Sequence, residues 1–452
     1  MPFAAFDIHL KSVEAVVADD AGAILLRRNF PATRKAIEDF ARQHLSQAHR
    51  IALEATFHTW AIASVLEPFV AEVVVSNPLR TRAIAEAKIK TDRVDAEVLV
   101  HLLRLDYLPR VWQPDADTRD LRRATTERAN LVADRTRLKN RIHAVLHQRL
   151  LAPPKGDLFC PANLRWLEKL ELDPPGRESL DRHLRQLAFL EKEIADQKST
   201  LAGQAYADPR VKLLMTLPGV DFTVAQSLLA AWGDVARFPS AEKAAAYLGL
   251  VPSTRQSAEH CYHGPITKQG RSHSRWLLVQ AAQHVDRHPG PLGVFFRRIA
   301  RKKNRNVAVV AMAHKLALIA WHMLRHNEPY RYAQPKTVEA KFTRLRVGAT
   351  GKRKRGGLPK GAPRPAAYGT GVRTRAVPAL DEIYAGEGLP PLASPTAGER
   401  NMLEQTQTAA WAETVRRRQR TPRQPNSQPA GGAGAPPRDS VPHPAGAPPL
   451  RP

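Results

Sequence analysis

The sequence predicts a mixed α/β domain, a long helical arm, a mainly α-helical second domain and a disordered basic tail. Three observations carry that division. Short alternating apolar runs fill the first hundred residues, two long stretches of helical periodicity follow, and apolar patterning fades after about residue 334. The expected boundaries are 1–115, 116–204, 205–333 and 334–452.

The first domain opens with FAAFDIHL, SVEAVVAD and AILLRRNF, separated by polar or glycine-containing turns, which predicts a three-stranded meander. A helix is expected over 33–45, then the strand RIALEAT, a helix over 60–66 and the strand AEVVVSNP. IKTDRVDAEVLVHLL follows as an amphipathic helix. Asp7 falls in the first strand and Glu54 near the end of the fourth. Asp92 and Asp95 sit one turn apart at the start of the last helix, where capping and the helix dipole alone would also favour acids.

Residues 117–151 are helical and basic. Leu131, Leu138, Ile142 and Val145 form the apolar stripe, and Arg135, Arg137, Lys139 and Arg141 occupy much of the remainder. After a proline-rich break, Leu180, Leu184, Leu187, Leu190 and Ile194 mark a second helix over 178–202. Together they predict an antiparallel coiled-coil arm or a pair of ordinary core helices. Arg135 and Lys139 are the arm's candidate nucleic-acid contacts.

The third segment begins LLMTLPGVDFTVAQSLLAAWG, a Pro-Gly turn between two apolar helices. This resembles a helix-hairpin-helix, with Gly219 at a phosphate-binding turn, though Pro-Gly also serves as a plain connection. In the last segment, KRKRGG, PKGAPRPAA, RRRQRTPRQP and PAGGAGAPP are basic or rich in proline and glycine. Such composition predicts disorder, with one short helix over 401–416.

Composition narrows the function. Lys and Arg number 69 against 43 Asp and Glu, a formal charge of +26, so the expected partner is a polyanion, and nucleic acid suits it. No apolar run approaches the ~20 residues that span a bilayer, so no membrane partner is expected. Two cysteines, Cys160 and Cys261, are too few for a disulfide framework or a cysteine zinc site. With no signal-peptide pattern at the N-terminus, the expected location is cytoplasmic.

A meander followed by helix-flanked strands is the element order of ribonuclease-H-like folds. In that arrangement the first strand and the adjacent fourth carry carboxylates side by side, and a later helix brings more. Four hard oxygen donors, Asp7, Glu54, Asp92 and Asp95, would suit two Mg2+ ions about 3.5–4 Å apart acting on a phosphodiester.

At these residues a family resemblance becomes specific. AFDIHLKS, IALEATFHTWAI and IKTDRVDAEVLVHLL, in that order, resemble the signatures of DEDD insertion-sequence transposases related to the Piv invertase, the one-ten insertion-sequence family, whose first domain is RuvC-like. The stretch from LPGVDFTVAQ to SHSRWLLVQAA is similar to that family's C-terminal transposase domain. The resemblance covers residues 3–325. It implies that Asp7, Glu54, Asp92 and Asp95 are metal ligands for Mg2+, and that Ser257 is a nucleophile. Ser257 is followed by Ala258, where the family usually has glycine, and Ser253, Ser272 and Ser274 lie nearby.

The resemblance further implies a covalent phosphoserine link to DNA and a composite centre between subunits, hence a homo-oligomer. It also implies a guide RNA encoded beside the element. Lys268 and Arg275 would contact phosphates or edge a solvated helix. Two alternatives stand beside the recombinase. One is a Holliday-junction nuclease that attacks with water. The other is a basic nucleic-acid scaffold whose carboxylates are structural.

Overall fold

Alternating Ala, Val, Ile and Phe near the N-terminus suit a sheet buried on both faces. β1 (Phe3–Ile8), β2 (Ser12–Ala18) and β3 (Ile24–Pro31) form a meander. α1 (Arg34–His44) follows, its first turn capped by Thr33 Oγ1, which accepts the Ala36 N–H. Then come β4 (Arg50–Glu54), α2 (Thr59–Leu66), β5 (Glu72–Ser76), α3 (Pro78–Ile84) and α4 (Asp92–Arg104). The strand order is β3-β2-β1-β4-β5. β1 runs antiparallel to β2 and parallel to β4, which is itself parallel to β5.

These elements belong to the first of two units, Met1–Ala116 and Asp117–Pro452. The computed structural model describes residues 1–84, 92–257, 260–351 and 374–422. In the first unit the strand period of two sorts side chains between two cores. Ala4, Phe6 and Ile8 pack with Ile37, Phe40, Ile62 and Leu66 of α1 and α2. Phe3 and Ala5 pack with Ala96, Leu99 and Leu103 of α4. Arg27 on β3 donates to Glu97 on α4 at 2.7 Å.

The second unit starts with a helical hairpin. α5 (Ala116–His147) and α7 (Pro174–Ala207) flank the short α6 (Pro161–Lys169). Arg149 pairs with Asp173, Arg135 with Glu191, and Gln197 donates to Ala124 O, so the two long helices run antiparallel. Leu138, Ile142, Leu146, Leu180 and Leu187 close around Leu158 and Leu167.

Next come α8 (Pro209–Met215), α9 (Phe222–Trp232), a 3-10 turn (Val235–Arg237) and α10 (Ala241–Tyr247). The hairpin β6 (Pro252–Ser257) and β7 (His260–Ile266) leads to α11 (Ser272–Gln283), α12 (Pro291–Lys302) and α13 (Arg305–His326). Trp232 is fully buried, and its indole N–H donates to Ala244 O at 3.1 Å. α13 is long and apolar enough to cross a membrane, contrary to the expectation that no such run exists. Its Ala308, Met312, Leu316 and Ala320 are buried in the core of the unit, which accounts for that composition.

The disordered tail expected over 334–452 needs correction. α14 (Pro335–Thr350), β8 (Thr374–Val377), α15 (Leu380–Gly386), α16 (Ala397–Gln405), α17 (Ala409–Thr414) and β9 (Gln419–Pro422) are folded. β8 and β9 pair antiparallel. Val338, Phe342, Leu345, Leu380, Tyr384, Leu403 and Val415 enter the same core as α9 and α13. These anchors are spread thinly through basic and proline-rich sequence, so composition concealed them. KRKRGG, PKGAPRPAA and PAGGAGAPP lie outside the described residues.

Candidate functional site

Asp7 lies in β1, two residues after Ala5 and therefore on the face covered by α4. Glu54 ends β4 two residues after Ala52, which shares that face. The β1–β4 register pairs Phe6 with Leu53, so Asp7 and Glu54 are neighbours one step further along two parallel strands. Asp7 is only 7% exposed. Two carboxylates set side by side repel each other and need a nearby positive charge.

A group able to carry such a charge lies beside Asp7. His9 Nε2 lies 3.2 Å from Asp7 Oδ2, an ion pair when the imidazole is protonated. Glu14 is the cross-strand partner of Asp7 in β2, on the same face, and accepts a 2.8 Å hydrogen bond from Asn29 Nδ2. His9 and Glu14 were not singled out from the sequence. The two-residue offset Asp-Ile-His, just past the end of β1, was the available signal for His9.

Asp95 sits in the first turn of α4, next to Ala96, which packs against the sheet. Asp92 begins the same helix, and its side chain lies outside the described residues. Among the described residues no three His, Cys, Asp or Glu side chains are arranged to hold a metal ion. The donors that are described, carboxylate oxygens, match the hard-oxygen preference of Mg2+.

The other expected residues lie in the second unit. Ser257 is the last residue of β6, paired with His260 across the hairpin, so its backbone is strand rather than free loop. Its side chain is outside the described residues. Ser253 Oγ donates to Pro265 O at 3.1 Å, and Ser274 is 3% exposed and donates to Ser227 O. Both hydroxyls are committed to the fold. His263 Nδ1 lies 3.0 Å from Thr254 Oγ1, and its Nε2 lies 3.8 Å from Cys261 Sγ.

Arg275 has a structural part in the fold. Its Nη1 donates to the carbonyls of Leu248 at 2.9 Å and Gln269 at 3.2 Å, tying α11 to two loops. Lys268 is exposed in a left-handed backbone position, φ 55°. Gly219 has φ 77°, and a Cβ there would come within 2.2 Å of Ala281 O, so the Pro-Gly turn is pressed against α11. Asp221 caps α9 by accepting the Val224 N–H. Arg135 and Lys139 share one carboxylate, Glu191, at 3.4 and 3.5 Å.

Comparison with known proteins gives this arrangement a family. The DEDD transposase family of IS110 type matches residues 4–150, and the family described as "Transposase IS116/IS110/IS902 family" matches 211–294. A putative transposase of Sinorhizobium fredii is 30% identical over 299 residues, covering 63% of this chain and 75% of that protein. The transposase for insertion sequence element IS1111A of Coxiella burnetii is 26% identical over 249 residues, 54% of this chain and 68% of its own length. The pilin gene-inverting protein of Moraxella bovis is 27% identical over 272 residues, covering 57% and 74%. With these two segments matched in order and a 30% identical relative covered over 75% of its length, the chain belongs to the IS110/IS116 family of insertion-sequence transposases.

Proposed function

We propose that the protein cuts and rejoins DNA at the ends of its own insertion element, with Asp7, Glu54, Asp92 and Asp95 holding Mg2+ and Ser257 supplying the attacking oxygen. The observation that carries this reading is the neighbouring position of Asp7 and Glu54 beneath the helix that opens with Asp92 and Asp95. Bound Mg2+ supplies Lewis acidity toward the phosphodiester.

The chain's own groups do the rest. Asp7 and Glu54 are fixed by strand backbones, so their oxygens are held in place before substrate arrives. Ser257 Oγ attacks phosphorus, its proton passes to a base, and a phosphoserine ester forms as one DNA oxygen leaves. A strand hydroxyl then attacks that ester and returns Ser257. One ester bond forms for each that breaks, so no co-reactant is required. A second subunit that completes the centre, and an element-encoded RNA that pairs with donor and target DNA, belong to the same reading. The formal charge of +26 supports both nucleic acids as partners.

The test traps covalent adducts on a synthetic element end with Mg2+. Wild type is expected to form them, Ser257→Ala to form none, and Ser253→Ala to retain them. DNA cutting without any adduct in the wild type would replace this reading by hydrolysis with water, as in a junction nuclease. RNA recovered with the purified protein and mapping beside the element would support the guide. Its absence from preparations active on DNA would remove the guide from the reading.

A further inference from the structure

Within the second unit a cleft of about 1000 Å³ opens between α5, the Pro218–Gly219 turn, α11 and α14. Its walls carry Arg128 and Arg135 from α5, His273 and Trp276 from α11, and Lys341 and Arg344 from α14. Among the described residues Asp221 is the one carboxylate in the lining, and it already caps α9. Arg135 also reaches Glu191 at 3.4 Å and Lys341 donates to main-chain carbonyls, so cations outnumber carboxylates around the cleft.

Burial is the first cause of the shifts in the lining, and like charge adds to it. Burial pulls the Arg128 guanidinium down from its usual range, Asp221 opposes this, and the like charge of Arg135 adds to it. Burial, then Arg128, lowers His273. Burial lowers Lys341 as well, with Asp221 opposing and Arg344 adding. Buried cations with like charge beside them destabilise the free protein, and a bound anion offsets both effects.

Two further features point to a ligand. The Nε atoms of Arg128 and Arg135 and Nε2 of His288 are buried without a hydrogen-bond partner among the described residues. His288 lines the cleft and is only 6% exposed. Its Nδ1 accepts the Gly290 N–H at 3.1 Å, so the neutral ring carries its proton on Nε2 and offers a donor. The same ring meets Trp411 in a T-shaped arrangement, centroids 5.3 Å apart. Trp276 is 50% exposed, with the His273 ring stacked beside it at 6.0 Å. A large aromatic surface left in water beside cations is the pairing that single-stranded nucleic acid uses.

We propose that this cleft binds a short single-stranded segment of nucleic acid, with its phosphates on Arg128, Arg135 and Arg344 and one unstacked base on Trp276. A duplex hides its base faces, whereas a single strand presents them. The volume is at the upper end of the ~300–1000 Å³ typical of enclosed ligand sites and accommodates a few nucleotides. The assignment rests on the family reading only for the class of anion. It is independent of Ser257 and of the carboxylates.

The test measures fluorescence anisotropy of labelled 12-mers, as single-stranded DNA, single-stranded RNA and duplex DNA, with full-length protein in EDTA over a salt series. Without divalent ions the assay reads binding whether or not the strand-exchange chemistry is correctly assigned. Arg128→Gln combined with Arg135→Gln is expected to weaken single-strand binding about tenfold or more. It should also flatten the log–log salt slope by roughly one to 1.4, at about 0.7 per phosphate contact. Trp276→Ala should cost roughly five- to 100-fold, and Trp276→Phe should recover most of it. A loss confined to DNA or to RNA identifies which strand the cleft serves.

Folding is checked independently by thermal melting, where Arg128→Met is expected to raise the melting temperature while weakening binding. Unchanged affinity and slope in the double variant, or a loss seen with duplex alone, would overturn the proposal.

Discussion

The ammonium of Lys341, on α14, donates a 2.7 Å hydrogen bond to the main-chain oxygen of Met215 at the end of α8, 126 residues earlier in the chain. A second hydrogen bond reaches Leu217 O, so one buried cation closes off the carbonyls leading into the Pro218–Gly219 turn. Truncation at residue 334 removes that cation together with Val338, Phe342 and Leu345 from the core. The truncated protein is expected to be insoluble or to melt well below the full chain, since each large core side chain lost costs about 2–5 kcal/mol. Soluble expression and differential scanning fluorimetry check this. A truncated protein that melts with the full chain would return the segment to the role of a dispensable tail.

Gly219→Ala is expected to destabilise the second unit by about 2–3 kcal/mol. The φ of 77° costs an L-residue ~1–2 kcal/mol, and the Ala281 carbonyl must move to admit the new Cβ. Thermal melts of the purified variant report it. If the turn instead acts only by touching phosphate, stability should stay unchanged while binding falls.

His288 gives a pH dependence with a defined sign. Burial, with Lys341 and Arg297 adding, pulls its pKa down from 6.5 to about 4. The unfolded chain takes up this proton as pH falls through 6.5, and the folded chain resists until about 4. Stability from this group is therefore complete above pH 6.5 and drains away between 6.5 and 4, by about 3 kcal/mol. His288→Asn keeps an acceptor for the Gly290 N–H and does not titrate. Its melting temperature should fall less steeply than that of wild type across this window, and parallel curves would assign the acid sensitivity elsewhere.

Asp7→Asn relieves repulsion between adjacent strand carboxylates, so without divalent ions its melting temperature is expected to match or exceed that of wild type. With millimolar Mg2+ or Mn2+ the wild type should gain several degrees and the variant little, as binding to the folded state requires. Equal gains would mean that Asp7 is not a metal ligand. Asp92→Asn should abolish recombination and leave nucleic-acid binding intact.

Much of the first unit was legible in the sequence because its signals are local. Period-two alternation separates Phe6 from Asp7, and the Asp92–Asp95 spacing sits beside the apolar stripe of α4. The placement of Asp7 next to Glu54 followed from a topology that puts β1 beside β4. Glu14 was harder to find, because an acid in the middle of a meander strand gives no sign of which carboxylate it will pair across. Of the cleft in the second unit only Arg135 and Gly219 stood out in the sequence, and nothing there brought them together. Arg128, Trp276 with His288, and Lys341 come from three separated stretches, and only the packing of α5, α11 and α14 assembles them. The carbonyl bonds of Arg275 were hidden for a related reason, since a guanidinium that holds carbonyls looks in sequence like one that awaits a phosphate.

The late segments that complete the second core also set a timetable for synthesis. The first unit has all its strands and helices once about a quarter of the chain has been made, and its parallel pairing of β1 with β4 spans only some fifty residues. The second unit has no such early closure, because Tyr384, Leu403 and Val415 must arrive before the core around Trp232 and α13 is sealed. A ribosome therefore carries a folded carboxylate-bearing unit beside an open apolar partner for most of translation, an interval in which chaperone capture competes with folding. The rate of translation through the last eighty residues, rather than that of the first hundred, becomes the step on which the yield of complete transposase turns.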